Sequence, residues 1–259
     1  LTIPITVMMV NSSGKPVFDA STGIDHYVFT GYGSSNLKGD YYKTNEAMMP
    51  WYFSEAGEAN IVVEFAEGVE AIDAYMFKNS SSGNSRIRSV TLSDSISTIG
   101  AEAFYNCSKI RDLALSRDLT TIGANSLKGC ISIQNLTLPI DADATKFGQI
   151  VSSIRSINFL SGGSDGQNYK ENTAANLLWS GSKNYSVTFE SGITSIGDYM
   201  QLSASGMVSI PASVKSVGVK AFYGSPMTGL QIVDGLTKIG DYAFEGCSGL
   251  QTLTLPNTL

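Results

Sequence analysis

Apolar residues recur along this chain in a fixed order that neither a strand nor a helix alone explains. With Ile87 as position 0, Val90 and Leu92 fall at 3 and 5, Ile96 at 9 and Ile99 at 12. Gly100 stands at 13, Ala103 and Phe104 at 16 and 17, and Cys107 at 20. Counting again from Ile110, Leu113, Leu115, Leu119, Ile122, Gly123, Leu127 and Cys130 fill the matching places. The register extends back to Val63, Phe65, Val69, Ile72 and Phe77. It runs on through the pairs Leu136/Leu138, Ile157/Phe159, Val187/Phe189, Val208/Ile210, Leu230/Ile232 and Leu253/Leu255. Nine units result, several imperfect and most spaced 21 to 23 residues apart. A period of this size is the mark of stacked coils, each too small to bury its own apolar side.

The pattern predicts one coil piece by piece. Apolar positions 3 and 5 around a polar position 4 make a short strand with one face buried. Pro139, Pro211 and Pro256 close that strand at position 6, since proline donates nothing to a ladder. Positions 9 and 12 return the chain inward, and the glycine at 13 allows a tight turn or a close approach. Ala-Phe at 16 and 17 then fits a single helical turn with Phe inward. Stacking would line up Phe77, Phe104, Phe222 and Phe244 as a spine, with Leu127 in the same slot. At about 4.8 Å per coil, nine coils would make a rod or arc of roughly 40 Å.

Composition narrows the picture. Charged residues make up only 15% of the 259 residues and glycine numbers 26, a mix that suits a β-rich chain with tight turns. The net charge is −6 and the sequence shows no Lys/Arg cluster, so a nucleic-acid or anionic-membrane footprint is not expected. No stretch of about 18 apolar residues is present to span a bilayer. The chain opens on Leu1, as a processed or trimmed form would, and LTIPITVMMV (1–10) reads as an edge strand without the basic flank of a signal peptide.

The pattern L-x-x-L-x-L-P followed by I-G-x-x-A-F-x-x-C resembles the leucine-rich repeats of the BspA type. IRSVTLSDSISTIGAEAFYNCSK (87–109) and LQIVDGLTKIGDYAFEGCSGLQTLTLP (230–256) carry it most fully. YVFTGYG (27–33) and PWYF (50–53) also resemble a leading segment of that family. The resemblance implies an α/β repeat fold: a leucine-rich-repeat solenoid with short parallel strands on one face and short helical turns or loops on the other. It implies a non-enzymatic bacterial surface or secreted protein that acts in adhesion, with a protein ligand, some members binding host matrix proteins. It offers no catalytic residues and no cofactor. The expected domains are an N-terminal cap (1–60), a first sub-array (61–160), an irregular insertion (161–184) and a second sub-array (185–259), forming one continuous solenoid. The restart is visible in the sequence, because Trp51 before VVEFAEGVEAIDAYMF is echoed by Trp179 before SVTFESGITSIGDYM.

Few residues offer chemistry. His26 is the single histidine, which excludes multi-histidine metal sites. Cys107, Cys130 and Cys247 all fall at position 20, as Ser225 does, so small buried residues in a ladder are favoured over a disulfide or thiolate site. The loops 161–172 and 139–148 hold carboxylates without EF-hand spacing, and GYGSSN (31–36) lacks the Lys-Ser/Thr of a phosphate loop. Glu64 and Glu190 are the acids nearest outward strand positions, but in distant units, so a glycosidase pair is not expected. No metal or catalytic residue is assigned.

Binding is the remaining class. Position 4 presents Glu64, Thr91, Ala114, Thr137, Asn158, Thr188, Ser209, Gln231 and Thr254, a short polar stripe. It is either a soluble β surface or an extended contact surface. Tyr41, Tyr42, Trp51, Tyr52 and Phe53 form the richest aromatic cluster, placed to cap the array. Through Trp51 and Tyr52 the same cluster gives an alternative role in glycan stacking. A third role is that of a structural stalk, since the last unit breaks off at Leu259 and would leave an open edge for self-association.

Overall fold

The computed structural model describes residues 61–79, 86–147, 154–162, 166–170, 177, 179 and 183–259. It also describes the strand backbones at 6–9, 18–19 and 24–30. The chain divides into two compact units, residues 1–133 with 146–152 and residues 134–145 with 153–259.

In the first unit β1 (Thr6–Met9) and β2 (Phe18–Asp19) both pair antiparallel with β3 (Ile24–Thr30). From β3 onward the ladder is parallel, through β4 (Ile61–Phe65), β6 (Ile87–Thr91) and β8 (Asp112–Ala114). Between them lie the two-residue strands β5 (Ala71–Ile72), β7 (Thr98–Ile99) and β9 (Thr121–Ile122), which form a second parallel row. Each coil thus supplies one rung to each of two rows.

The second unit repeats this plan. β10 (Asn135–Pro139), β11 (Ser156–Leu160) and β12 (Ser186–Phe189) pair in parallel. β13 (Ser195–Ile196), β15 (Ser216–Val217) and β17 (Lys238–Ile239) make the second row. β14 (Gly206–Ile210), β16 (Met227–Ile232) and β18 (Thr252–Thr254) pair in parallel as a further set. The pairing joins equivalent positions, as in Val208↔Leu230↔Leu253, so the sequence register is also the spatial one. Positions 3 and 5 of the stacked coils are buried at Val63, Val90, Leu138, Ile157, Val208 and Ile210, whereas Leu253 and Leu255 of the last unit are exposed.

The helical turns expected at positions 14–20 do not form; among the described residues there is no helix. The reason lies in the residue at position 15. Tyr75, Glu102, Asn125, Tyr199, Lys220 and Tyr242 all adopt a left-handed backbone, with φ between 51° and 63°. A left-handed residue stops a right-handed helix after one turn. Alternate amides then close tight turns on their own coil, as when the Ala103, Tyr105 and Cys107 N–H donate to the Gly100, Glu102 and Phe104 carbonyls. The amides between them reach the next coil: Glu102, Phe104 and Asn106 donate to Ala124, Ser126 and Lys128 at 2.8–3.1 Å. Lys220, Phe222 and Gly224 do the same to Asp241, Ala243 and Glu245. A helix would spend these donors within its own coil. Here they cross-link neighbours, which offsets a left-handed residue's cost of about 1–3 kcal/mol.

Within each unit the position-17 rings stack as the pattern predicts. Phe77 and Phe104 stack with centroids 5.0 Å apart and planes 1° apart, and Phe222 stacks on Phe244 at 5.4 Å. Leu127 is fully buried at the equivalent position. Where the second unit is irregular, other aromatics fill it. Trp179 meets Phe159 and Tyr169 edge-on at 5.7 and 6.5 Å, and its indole N–H donates to the Met200 carbonyl at 2.9 Å. The Tyr169 hydroxyl donates to the Ala142 carbonyl (3.0 Å) and accepts from the Ala144 N–H (3.1 Å). Burial holds that phenol far above its ordinary pKa, so it stays neutral in this role.

The glycine at position 13 is a close-approach residue. Gly100, Gly123, Gly218 and Gly240 each donate to the preceding coil's position-12 carbonyl at 2.7–2.8 Å. A Cβ on Gly100 or Gly123 would fall onto the backbone of Ala74 or Ala101 in that coil. None of the four adopts a left-handed conformation, so of the two sequence alternatives close packing is the operative one.

Candidate functional site

The outward face of the strand rows is built by the same alternation that buries positions 3 and 5. Position 4 is in register across neighbouring strands. Glu64 lies opposite Thr91, and Thr91 opposite Ala114, in the first unit. Thr137, Asn158 and Thr188 lie side by side in the second, as do Ser209, Gln231 and Thr254. Thr91, Thr188, Ser209, Gln231 and Thr254 are exposed; Glu64, Ala114, Thr137 and Asn158 are half-buried. The structure therefore gathers the predicted stripe into columns within each unit. Trp51 and Tyr52, with the rest of the N-terminal aromatic cluster and the GYGSSN segment, lie outside the described residues. His26 lies in β3, whose backbone alone is described.

Apart from Glu64 and Ala114, the stripe is a set of hydroxyls and amides spaced at about the strand separation of 4.8 Å. Some members bond each other: the Thr188 hydroxyl donates to Asn158 Oδ1 at 2.7 Å, and beside them the Ser156 hydroxyl donates to Asn135 Oδ1 at 2.7 Å. Such groups offer directional hydrogen bonds to an extended partner but no ionisable nucleophile or acid–base pair.

Sequence reasoning missed one apolar feature of this face. The ladder slips between Gly206 and Met207, so Met207 pairs with Gly229 rather than Thr228. Met207 is 62% exposed and folds across Gly229, where a Cβ would come 2.6–2.7 Å from its Cε and Sδ and from the Thr252 Oγ1. Thr228 is the extra residue of this bulge, and its insertion sets Gly229 beside Met207. The signal available in the sequence was the exposed-face position of Met207, two residues before Ser209.

The other sequence candidates take structural places. Cys107 and Cys130 are wholly buried and Cys247 half-buried, and none is in a disulfide. Each thiol donates to the position-17 carbonyl of the preceding coil: Cys107 to Phe77 (3.1 Å), Cys130 to Phe104 (3.1 Å) and Cys247 to Phe222 (3.3 Å). The Ser225 hydroxyl makes the same kind of bond to Ala204 at 2.8 Å. The slot therefore selects small donors and not merely small hydrophobes. Desolvation pushes the Cys130 thiol well above its ordinary pKa, with the neighbouring Cys107 adding to the shift. Glu190 ties down the loop that follows β11, its carboxylate accepting from the Ser161 N–H (2.7 Å) and hydroxyl (3.0 Å). Asp143 accepts from the Thr145 N–H and hydroxyl within its own turn. Among the described residues no group of three or more His, Cys, Asp and Glu could hold a metal. Nor, among them, is any helix long and apolar enough to cross a membrane.

Comparison with known proteins matches residues 49–163 and 175–259 to the BspA-type leucine-rich repeat region, in six copies. Among solved structures, the chain is similar to a leucine-rich cell surface protein from Faecalibacterium prausnitzii A2-165. The two are 19% identical with a TM-score of 0.38, over 90% of this chain and 51% of that one. It is similar to a leucine-rich repeat protein from Eubacterium ventriosum ATCC 27560 at 16% identity and TM-score 0.30, over 89% and 80% of the two chains. It is also similar to the pneumococcal vaccine antigen PcpA at 15% identity and TM-score 0.32, over 100% and 72%. The chain spans about half the length of the first of these structures. No curated protein sequence matches it.

Proposed function

The chain belongs to the BspA-type leucine-rich repeat family, and from that premise we propose that it is a non-enzymatic binding protein of the bacterial cell surface. Its ligand is a protein, of the kind that host matrix proteins represent, and it acts in adhesion. The observation that supports this reading is the set of in-register columns of short polar side chains on stacked parallel strands, Thr188 beside Asn158 in one and Ser209 beside Gln231 in another, with Thr188, Ser209 and Gln231 all exposed. A repeat array offers rigidity and a long surface more readily than a closed catalytic cleft. The stripe lacks aromatic or arginine anchors, so many weak contacts, with Met207 as the apolar one, would carry the affinity.

The test is capture of immobilised matrix proteins by the wild-type chain and by a Thr188→Arg/Ser209→Arg/Gln231→Arg variant. These outward changes leave the far-ultraviolet spectrum and urea midpoint unchanged and lower the captured amount at least tenfold. Undiminished capture by the folded variant would refute the stripe as the docking surface. Hydrolysis of a glycan or peptide, lost on substitution of an acidic residue, would refute the non-enzymatic role.

A further inference from the structure

The turn segments of the second unit carry exposed aromatic surface that neither the core nor the position-4 stripe uses. Position 15 of three consecutive coils reads Tyr199, Lys220 and Tyr242, and Tyr223 follows three residues after Lys220. The Tyr199 N–H donates to the Val219 carbonyl at 2.7 Å and the Lys220 N–H to the Asp241 carbonyl at 3.0 Å, so each coil sets these side chains beside the next. The Lys220 ammonium lies over the rings of all three tyrosines, 5.6–5.9 Å from their centroids. At that distance a cation is attracted to a ring face. Lys220 and Tyr199 are half-buried, but Tyr242 is 60% and Tyr223 46% exposed. An ammonium over one face of a ring leaves the other face and the rim to solvent.

Beside these rings the surface is bare. Position 19 is glycine in both coils, Gly224 and Gly246, each left-handed and exposed. The Gly224 N–H donates to the Glu245 carbonyl at 2.8 Å, which seats the two coils together here. A Cβ on Gly224 would meet nothing within 4 Å, and one on Gly246 only the backbone of Gly224. The first unit has no such gap. There position 19 holds Asn106 and Gly129, a Cβ on Gly129 would strike Asn106 Oδ1, and Tyr75 and Tyr105 are half-buried. Asp241 and Glu245 are exposed on the same turn as Tyr242, and neither carboxylate is held in an ion pair among the described residues.

We propose that Tyr223 and Tyr242, beside the bare strip at Gly224 and Gly246, form a stacking site for a neutral, β-linked oligosaccharide. A pyranose ring with equatorial hydroxyls offers a C–H face to an aromatic ring and hydroxyl donors at its rim. Tyrosine supplies the apolar face and carries its own polar tip, and the Asp241 and Glu245 carboxylates accept charge-assisted hydrogen bonds. The charges present argue against other occupants. A cationic ligand would meet Lys220, which already holds the rings. An anionic one would meet Asp241 and Glu245 in a chain of net charge −6. An apolar side chain would desolvate the carboxylates without bonding them. The site lies on the turn segment of the coil, apart from the position-4 stripe, and does not depend on it.

Saturation-transfer NMR of the full chain with lacto-N-tetraose, a glycoprotein-type sugar, and with cellotetraose, a cell-wall type, tests the site. At least one gives transfer, strongest at its pyranose C–H protons, and shifts the tyrosine ring signals of the wild-type chain; which one does so identifies the source. Tyr223→Ala/Tyr242→Ala lowers that sugar's affinity at least tenfold in isothermal titration, with the far-ultraviolet spectrum and urea midpoint kept. Tyr223→Phe/Tyr242→Phe stays within threefold of wild type, because stacking needs only the ring. The Thr188→Arg/Ser209→Arg/Gln231→Arg variant binds the sugar as wild type does, which separates this site from the stripe. No transfer from either sugar, an alanine pair that binds as wild type does, or a phenylalanine pair as weak as the alanine pair would each overturn the site. So would a lysine-rich peptide or a heparin oligosaccharide that binds more tightly than the sugar and displaces it.

Discussion

At the scale of single residues, three positions do what no hydrophobic count explains. Glycine at 13 lets one backbone lie against another. The residue at 15 accepts a left-handed conformation without being glycine, and the small residue at 20 donates to the coil before it. The first was legible in the sequence as one of two alternatives, and the third as a slot for a small residue without its hydrogen bond, since Gly100, Gly123, Gly218 and Gly240 recur in place and Ser225 stands where cysteines stand. The second was not. Tyr, Glu, Asn and Lys at position 15 carry no common signature of positive φ, and only Asn125 is a residue known to tolerate it. The buried thiols have a consequence in alkali. The pKa of Cys130 is raised in the folded state, so the contribution from keeping it neutral is complete below the ordinary thiol value of about 8.5. It is lost as pH rises above that value, because the unfolded chain then ionises first. Between pH 7.5 and 9.5 wild type should lose about 1 kcal/mol more stability than Cys130→Ser, by urea titration at each pH. Equal losses would contradict the assigned burial.

At the scale of elements, the strands followed the sequence and the expected helical turn did not. Positions 3, 4 and 5 predict β4, β6, β10, β11, β14 and β16 because an alternating pattern has one structural solution. Ala-Phe at 16 and 17 has two, since one helical turn and a pair of tight turns both place Phe inward. What decides between them is where the amides of residues 15, 17 and 19 go, and that depends on the neighbouring coil. The wedge is accordingly an inter-coil element. Phe77 and Phe104, 5.0 Å apart and parallel, should show a coupling of about 0.5–1.5 kcal/mol in a double-mutant cycle to alanine, each single change costing about 3–5 kcal/mol. Additive losses would mean the rings do not share a column.

At the scale of the molecule, each unit is a set of coils that complete one another's core, and its outward polar columns arise only through that stacking. The position-4 stripe could be read in advance because it follows one position of the repeat. The N-terminal aromatics of the sequence reading, Trp51 and Tyr52 among them, fall outside the described residues. Contact between coils is the claim on which all of this depends, and it is sharpest at the glycines. Urea unfolding of Gly123→Ala and Gly224→Ala measures it most directly. Gly123 abuts the backbone of Ala101 while Gly224, at φ 68°, has nothing within 4 Å of an added Cβ. The account predicts a loss of about 3 kcal/mol or more for the first and about 1 kcal/mol, from backbone strain alone, for the second. Equal losses, or a Gly123→Ala protein as stable as wild type, would contradict it.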